Sequence, residues 1–143
     1  MSLYMLDTNS VSHLIKGHAG LVSRTVAVPM RCLCISCVTQ GEILFGLAKR
    51  PDATRLHHAV HEFLLRVDVL PWDTTAAQSY GPLRAAMERL GKPLGPLDMM
   101  IAAHAVSAGA VMVSNDKAFG YVSGLVVEDW TVLSGIFSLP SER

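Results

Sequence analysis

The sequence predicts an α/β fold, a single domain over residues 1–143 with a central, mainly parallel sheet of about five strands between helices. Three observations lead there. Short apolar runs alternate with longer stretches of helical periodicity, the order that parallel strands with helical crossovers require. The runs are continuously apolar, as strands covered on both faces are. Half of the 143 residues are hydrophobic and 17% are charged, which suits a chain that buries a core without disulfides.

Leu3–Leu6 reads as the first strand. Thr8-Asn-Ser10 supplies cap chemistry for a helix that runs to about Lys16. Gly17 and Gly20 mark a break, and a second helical piece follows from about Leu21 to Val28, ended by Pro29. Cys32–Val38 is short, apolar and β-branched, hence a strand, and Thr39 opens the helix that carries Glu42, Leu44, Phe45 and Leu47. From Pro51 to Arg66 the pattern is amphipathic, with Leu56, Val60, Phe63 and Leu64 on one stripe. Val67–Leu70 reads as a third strand. Asp73-Thr74-Thr75 caps a helix that ends near Gly91. Pro96 lies in the first turn of the next helix, Val111–Val113 is a fourth strand and Leu125–Val127 a fifth.

Twelve basic and twelve acidic residues cancel, so no global basic field marks a nucleic-acid binder. Nothing at the N-terminus resembles a signal peptide, and the longest apolar stretch, Met99 to Val113, is too short to span a membrane. Three cysteines favour reduced thiols and a cytoplasmic location. Cys32, Cys34 and Cys37 lack a second pair of zinc ligands and read as buried thiols. His57 and His61, with His58 beside them, read as a solvated helix face. His104 reads as a partly buried helix residue rather than a general base, and Trp72 and Trp130 as packing residues.

The acids are the main functional clue. Asp7 follows the first strand, Glu42 opens a helix after the second, Asp98 opens a strongly apolar helix, and Asp116 follows Val111–Val113. Each has a local explanation. Asp7 and Asp116 can cap helical turns, Asp98 answers a helix dipole, and Thr39-Gln-Gly-Glu42 matches a capping box. Together they point further. A charge-poor chain that places four acids where apolar elements leave the core needs a countercharge, because clustered carboxylates cannot all ionise unpaired. Magnesium or manganese supplies it through oxygen ligands alone. With these four neutralised, twelve basic residues face eight acids, a mildly basic surround for a phosphate backbone.

Five pieces in order, Met5-Leu-Asp-Thr-Asn9, Ile35-Ser-Cys-Val-Thr-Gln-Gly-Glu-Ile-Leu-Phe-Gly46, Gly91-Lys-Pro-Leu-Gly-Pro-Leu-Asp-Met-Met-Ile-Ala-Ala-His104, Val113-Ser-Asn-Asp-Lys-Ala-Phe119 and Gly124-Leu-Val-Val-Glu-Asp-Trp130, make the chain resemble the PIN-domain nucleases. Among these it is similar to the VapC toxins of toxin–antitoxin pairs over nearly its whole length. The resemblance implies a PIN-like, Rossmann-like domain and a metal-dependent endoribonuclease. Asp7 and Asp98 then hold Mg2+ or Mn2+, with Glu42 and Asp116 completing the catalytic set, and Thr8, Asn9 and Ser114 orient the acids or contact phosphate. It further implies an RNA substrate, with transfer RNA a plausible one, a VapB-like antitoxin over the cleft, and a homodimer. The fourth piece departs from many relatives. Ser114 stands where they carry Thr and Ala118 where they carry an acid, so Asp116 is the one acid there.

Other classes meet specific obstacles. A haloacid-dehalogenase-type phosphatase wants an acid where Asn9 stands, and a phospho-receiver wants acids within Ser2–Leu6. Two alternatives stay open on sequence alone: a PIN-superfamily DNA nuclease and a non-cleaving protein with an acidic cleft.

Overall fold

The computed structural model describes residues 2–132. Five strands, β1 (Tyr4–Leu6), β2 (Leu33–Ser36), β3 (Asp68–Leu70), β4 (Val111–Val113) and β5 (Val127–Glu128), form one all-parallel sheet in the order β3-β2-β1-β4-β5. Six helices connect them: α1 (Thr8–Ile15), α2 (Ala19–Ala27), α3 (Cys37–Ala48), α4 (Thr54–Arg66), α5 (Thr74–Arg89) and α6 (Pro96–Ala108). The order reverses at β1, which pairs with β2 on one side and β4 on the other. The α/β architecture expected of the sequence is therefore present, and the whole-chain boundary concerns residues beyond 132, outside the described ones.

The period-two alternation of side chains along each strand divides the core in two. Met5, Cys34 and Met112 face a cluster with Met87 of α5 and Met99, Ala102 and Ala105 of α6. Leu6, Leu33, Ile35 and Val113 face the other layer, with Val11, Leu21, Ile43, Leu47 and Val60 from α1 to α4. Helix α6 is covered on nearly every side, with Met99 and Ile101 to Ala105 all buried, and ends where Gly109 takes a left-handed conformation (φ 66) open to Gly without strain. None of the described helices is long and apolar enough to cross a membrane.

Five expectations shift. The second strand stops at Ser36, and α3 begins at Cys37, because the Ser36 hydroxyl accepts the Val38 amide hydrogen bond and so caps a helix inside the apolar run. Thr39 thus lies within α3, fully buried, and is not the cap of a Thr39–Glu42 box. Gly20 does not end a helix. It sits inside α2, which starts at Ala19 because the His18 ring accepts from the Gly20 amide (3.1 Å). The fifth strand is Val127–Glu128 rather than Leu125–Val127, and α4 begins at Thr54 rather than Pro51.

Gly20 earns its place by close approach, since a Cβ there would lie 2.3 Å from the backbone oxygen of Trp130. Gly20→Ala should lower stability by about 1–3 kcal/mol through forced backbone displacement. Gly46→Ala, in α3 with nothing within 4 Å of the added carbon, should raise it by roughly 0.5–1 kcal/mol. Urea unfolding of the two variants checks both signs.

Candidate functional site

Parallel strands all end at one edge of the sheet, and an open α/β sheet offers its crevice at that edge where the strand order reverses. Here the reversal lies between β1 and β4. Asp7 follows β1 directly and Ser114 follows β4 directly, and the Asp7 amide donates to the Val113 carbonyl at 3.1 Å, which locks the two strand ends together. Ser10 adds a buried bond from its hydroxyl to the same carbonyl (2.9 Å).

Asp7 is only 3% exposed. One carboxylate oxygen caps α1 by accepting from the Ser10 amide at 2.8 Å, and the other accepts no hydrogen bond among the described residues. Thr8 donates its hydroxyl hydrogen bond to Glu42 at 2.5 Å, so the first turn of α1 holds the acid of α3. Glu42 is half-buried, and that bond replaces the partner a capping box would have given it. Asp116 is exposed, caps the short turn Lys117–Tyr121 through the Ala118 amide (2.9 Å), and its own amide donates to the buried Ser114 hydroxyl (3.0 Å). Asn9 is exposed. Its backbone carbonyl contacts His13, and no hydrogen bond ties its side chain to the acids among the described residues.

Asp98, in the first turn of α6, connects the set electrostatically. Its pKa is raised from the ordinary 3.8 to about 6, first by burial and then by the negative charges of Glu42, Asp7 and Asp116. Four acids from four separate chain segments therefore share one field. The ion pairs among the described residues, Arg24–Glu128, Arg66–Glu62 and Arg84–Glu88, include none of them. No three His, Cys, Asp or Glu side chains among the described residues close up into a cage for an ion, so the acids border an open crevice. Grooves leave it on two sides. One, of about 220 Å³, starts at Thr8 and Glu42 and runs between α1, α3 and α4 toward Lys16, Lys49 and Arg50. The other, of about 270 Å³, is bordered by Ser114, Asn115, Asp116, Lys117 and Asp129.

The remaining candidates separate from the site. His57 contacts the Arg50 carbonyl, and His58 and His61 are exposed. Cys32 and Cys34 are buried and Cys37 is half-buried, with burial pushing the Cys34 thiol up to about 12. His104 is buried, and burial lowers its pKa. Trp130 is 1% exposed, and the Trp72 indole donates to the Met100 carbonyl. Sequence reasoning placed Ser10 in the cap but missed its bond to the Val113 carbonyl, and it missed Ser36 altogether. Each accepts or supports a cap at a strand-to-helix corner, and the Asp-x-x-Ser spacing of Asp7 to Ser10 was the signal for the first.

Residues 4–125 match the PIN domain family. The chain is 39% identical to "tRNA(fMet)-specific endonuclease VapC" of Shigella flexneri over 132 residues, 92% of this chain and all of that relative. It is 33% identical to "Ribonuclease VapC2" of Haemophilus influenzae, covering 91% of this chain and 99% of the relative. Among solved structures, a chain of the DNA-bound VapBC of Salmonella typhimurium superposes with a TM-score of 0.83 at 38% identity, covering 91% of this chain and 99% of that one. A chain of the Rickettsia felis VapBC2 bound to promoter DNA gives 0.80 at 26% identity, covering 90% and 98%.

The raised Asp98 pKa fixes a sign for pH dependence. An unfolded aspartate titrates near 3.8 and the folded one near 6, so the native state binds the proton more tightly. The stability this contributes is complete below about 3.8 and is lost as pH rises through about 6. In metal-free protein the melting midpoint of the wild type, relative to Asp98→Asn, should fall across that window. A difference that is constant with pH would mean Asp98 has an ordinary pKa.

Proposed function

The chain belongs to the PIN-domain family and to its VapC branch, and from that premise we propose that it is a metal-dependent endoribonuclease, the toxin of a toxin–antitoxin pair, whose single domain spans the chain. The observation that carries the proposal is the shared field at Asp98, where three other acids act on one carboxylate and no cation of the described residues answers them. A donor set of oxygens alone suits Mg2+ or Mn2+ rather than zinc, and an open crevice suits an ion that keeps several of its waters. Asp7 and Asp98 are the principal ligands on this reading, with Glu42 and Asp116 completing the set. When bound, the metal supplies positive charge to a phosphoryl oxygen and lowers the pKa of water at the site.

The protein's own part is orientation. Ser10 and the Val113 carbonyl fix the Asp7 backbone, Thr8 fixes the Glu42 carboxylate, and Ser114 fixes the turn that presents Asp116. None of these acids needs to act as a nucleophile. Attack by water leaves a 5′-phosphate and a 3′-hydroxyl and does not use the RNA 2′-hydroxyl as nucleophile. RNA is favoured over DNA as substrate by the names of the relatives, and initiator transfer RNA is the first species to test, since the Shigella and Salmonella relatives are named for it.

The partner reading follows from surface chemistry. Leu44 and Phe45 of α3 are 46% and 63% exposed, beside the groove that opens at Glu42. Leu47 of the same helix is buried at 9% and belongs to the core. An antitoxin segment that covers Leu44 and Phe45 and directs an arginine toward the acids would replace the missing cation and compete with metal. A homodimer completes the proposal.

Purified protein free of antitoxin should cleave RNA with magnesium or manganese, stop with excess chelator, and leave 5′-phosphates when the new ends are mapped. Asp7→Asn and Asp98→Asn should each lower cleavage by at least about a hundredfold while the protein stays folded, the scale of removing a group that stabilises transition-state charge. Glu42→Gln should lower it markedly with little change in melting temperature. Cleavage that persists in chelator, or in folded Asp98→Asn, would overturn the metal mechanism.

A further inference from the structure

Beneath the acids, α3 and α6 are joined by a buried polar contact that the chemistry described so far does not use. His104 of α6 is 3% exposed, and its Nδ1 lies 2.8 Å from the hydroxyl of Ser36, itself fully buried. Ser36 already accepts from the Val38 amide at 3.1 Å. The hydroxyl keeps its proton and a second lone pair, so it bonds His104 Nδ1 in either ring tautomer. The Asp73 charge and the Pro71 backbone also act on the ring and favour its protonated form, while burial outweighs them and lowers its pKa. One neutral imidazole thus spans the start of α3, the middle of α6 and the end of β3.

Position gives the joint its significance. Asp98 stands six residues before His104 on α6, and Glu42 six residues after Ser36 at the head of α3. At 1.5 Å of rise per residue each carboxylate lies roughly 9 Å along its helix from the joint. The α6 segment between is buried at Met99 and at Ile101 to Ala103, so it transmits position rather than bending. Glu42 and Asp98 repel one another, since the Glu42 charge raises the Asp98 pKa. Repulsion by itself would widen their separation, and an apolar contact between two helices resists sliding less well than a directional hydrogen bond.

We propose that His104 is a positioning residue: with Ser36 it sets the register of α6 against α3 and so holds Asp98 and Glu42 at the spacing a divalent cation needs. The inference rests on the metal-site reading above. Its effect falls on ion affinity rather than on the chemical step. Hydrogen bonds made directly to metal-ligating side chains contribute roughly ten- to hundredfold in metal affinity, and a joint further along the helices belongs at the lower end of that range.

The test is a Mn2+ titration of metal-free protein, followed by the loss of the free-ion electron paramagnetic resonance signal, for the wild type, His104→Gln, His104→Asn, Ser36→Ala and Asp98→Asn. Glutamine places its amide toward Pro71 and abandons Ser36, whereas asparagine places it near the Nδ1 position. His104→Gln and Ser36→Ala should weaken Mn2+ binding roughly tenfold. His104→Asn should restore most of the loss, and turnover at saturating Mn2+ should stay near that of the wild type. Each affinity is read well below the variant's melting midpoint, so a residue that serves stability alone would shift the midpoint and leave the affinity unchanged. Wild-type affinity in folded His104→Gln and Ser36→Ala overturns the positioning role. Wild-type protein that binds no Mn2+, or Asp98→Asn that binds as the wild type does, would instead overturn the metal-site reading itself.

Discussion

Like charges brought to one edge of the sheet are the constraint on which the rest of this structure depends. Asp98 feels burial and three neighbouring carboxylates at once. The ion pairs among the described residues engage other acids, and Lys16, Lys49 and Arg50 stand along the groove that leaves Glu42. Such a set stays assembled only if the backbone that carries it cannot relax. The chain meets this by rooting each acid in a covered element. Asp7 leaves a strand paired on both sides, Asp98 stands on the most enclosed helix, and Glu42 is gripped by Thr8 across a helix-to-helix contact. Asp116 is the exception, exposed and set on a short turn, and Ser114 beneath it is buried.

Capping and chemistry are not competing explanations of these acids. Asp7 uses one oxygen to accept the Ser10 amide, and Asp116 uses one to accept the Ala118 amide. A carboxylate has two oxygens and about four acceptor sites, so a cap consumes a minor part of its capacity. On the proposed reading the cap serves the chemistry, because it fixes the side-chain rotamer and leaves the other oxygen for a ligand. Local motif grammar cannot separate the two roles for this reason: both want a short carboxylate at a strand-to-helix corner. The separation comes from long-range coupling at Asp98, which no window of sequence contains.

Much of the fold was legible because apolar runs and punctuation agreed. Val111–Val113 was placed to the residue, bounded by Gly109 before it and polar Ser114 after. The helix capped by Asp73 was legible for the same reason. Reading failed where one residue served two masters. Within Cys32–Val38 the β-branched composition argued for strand to the end, yet Ser36 caps a helix from inside the run, and one hydroxyl outweighed the propensity of Cys37 and Val38. His18 caps α2 with a ring nitrogen, a role sequence rules reserve for short oxygen side chains. Leu47 looked like its neighbours Leu44 and Phe45, and helical phase alone turns it inward. The set of site acids was readable as residues at element ends, whereas the Thr8–Glu42 and Ser36–His104 bonds join residues too distant in sequence to suggest each other.

The same electrostatic deficit bears on both activity and control. On the proposed reading, the acids attract whatever positive charge reaches them, and they discriminate between a metal ion and a guanidinium mainly by geometry and concentration. A free metal ion gains only its contacts with the carboxylates. An arginine carried on a peptide also gains the apolar burial available beside the site, over the exposed Leu44 and Phe45 of α3. That added surface lets a protein cation displace an abundant inorganic one without closer complementarity to the acids. A crevice whose acids form no ion pair among the described residues is therefore suited to be switched by a partner, because the charge that completes it for catalysis and the charge that blocks it compete for one position.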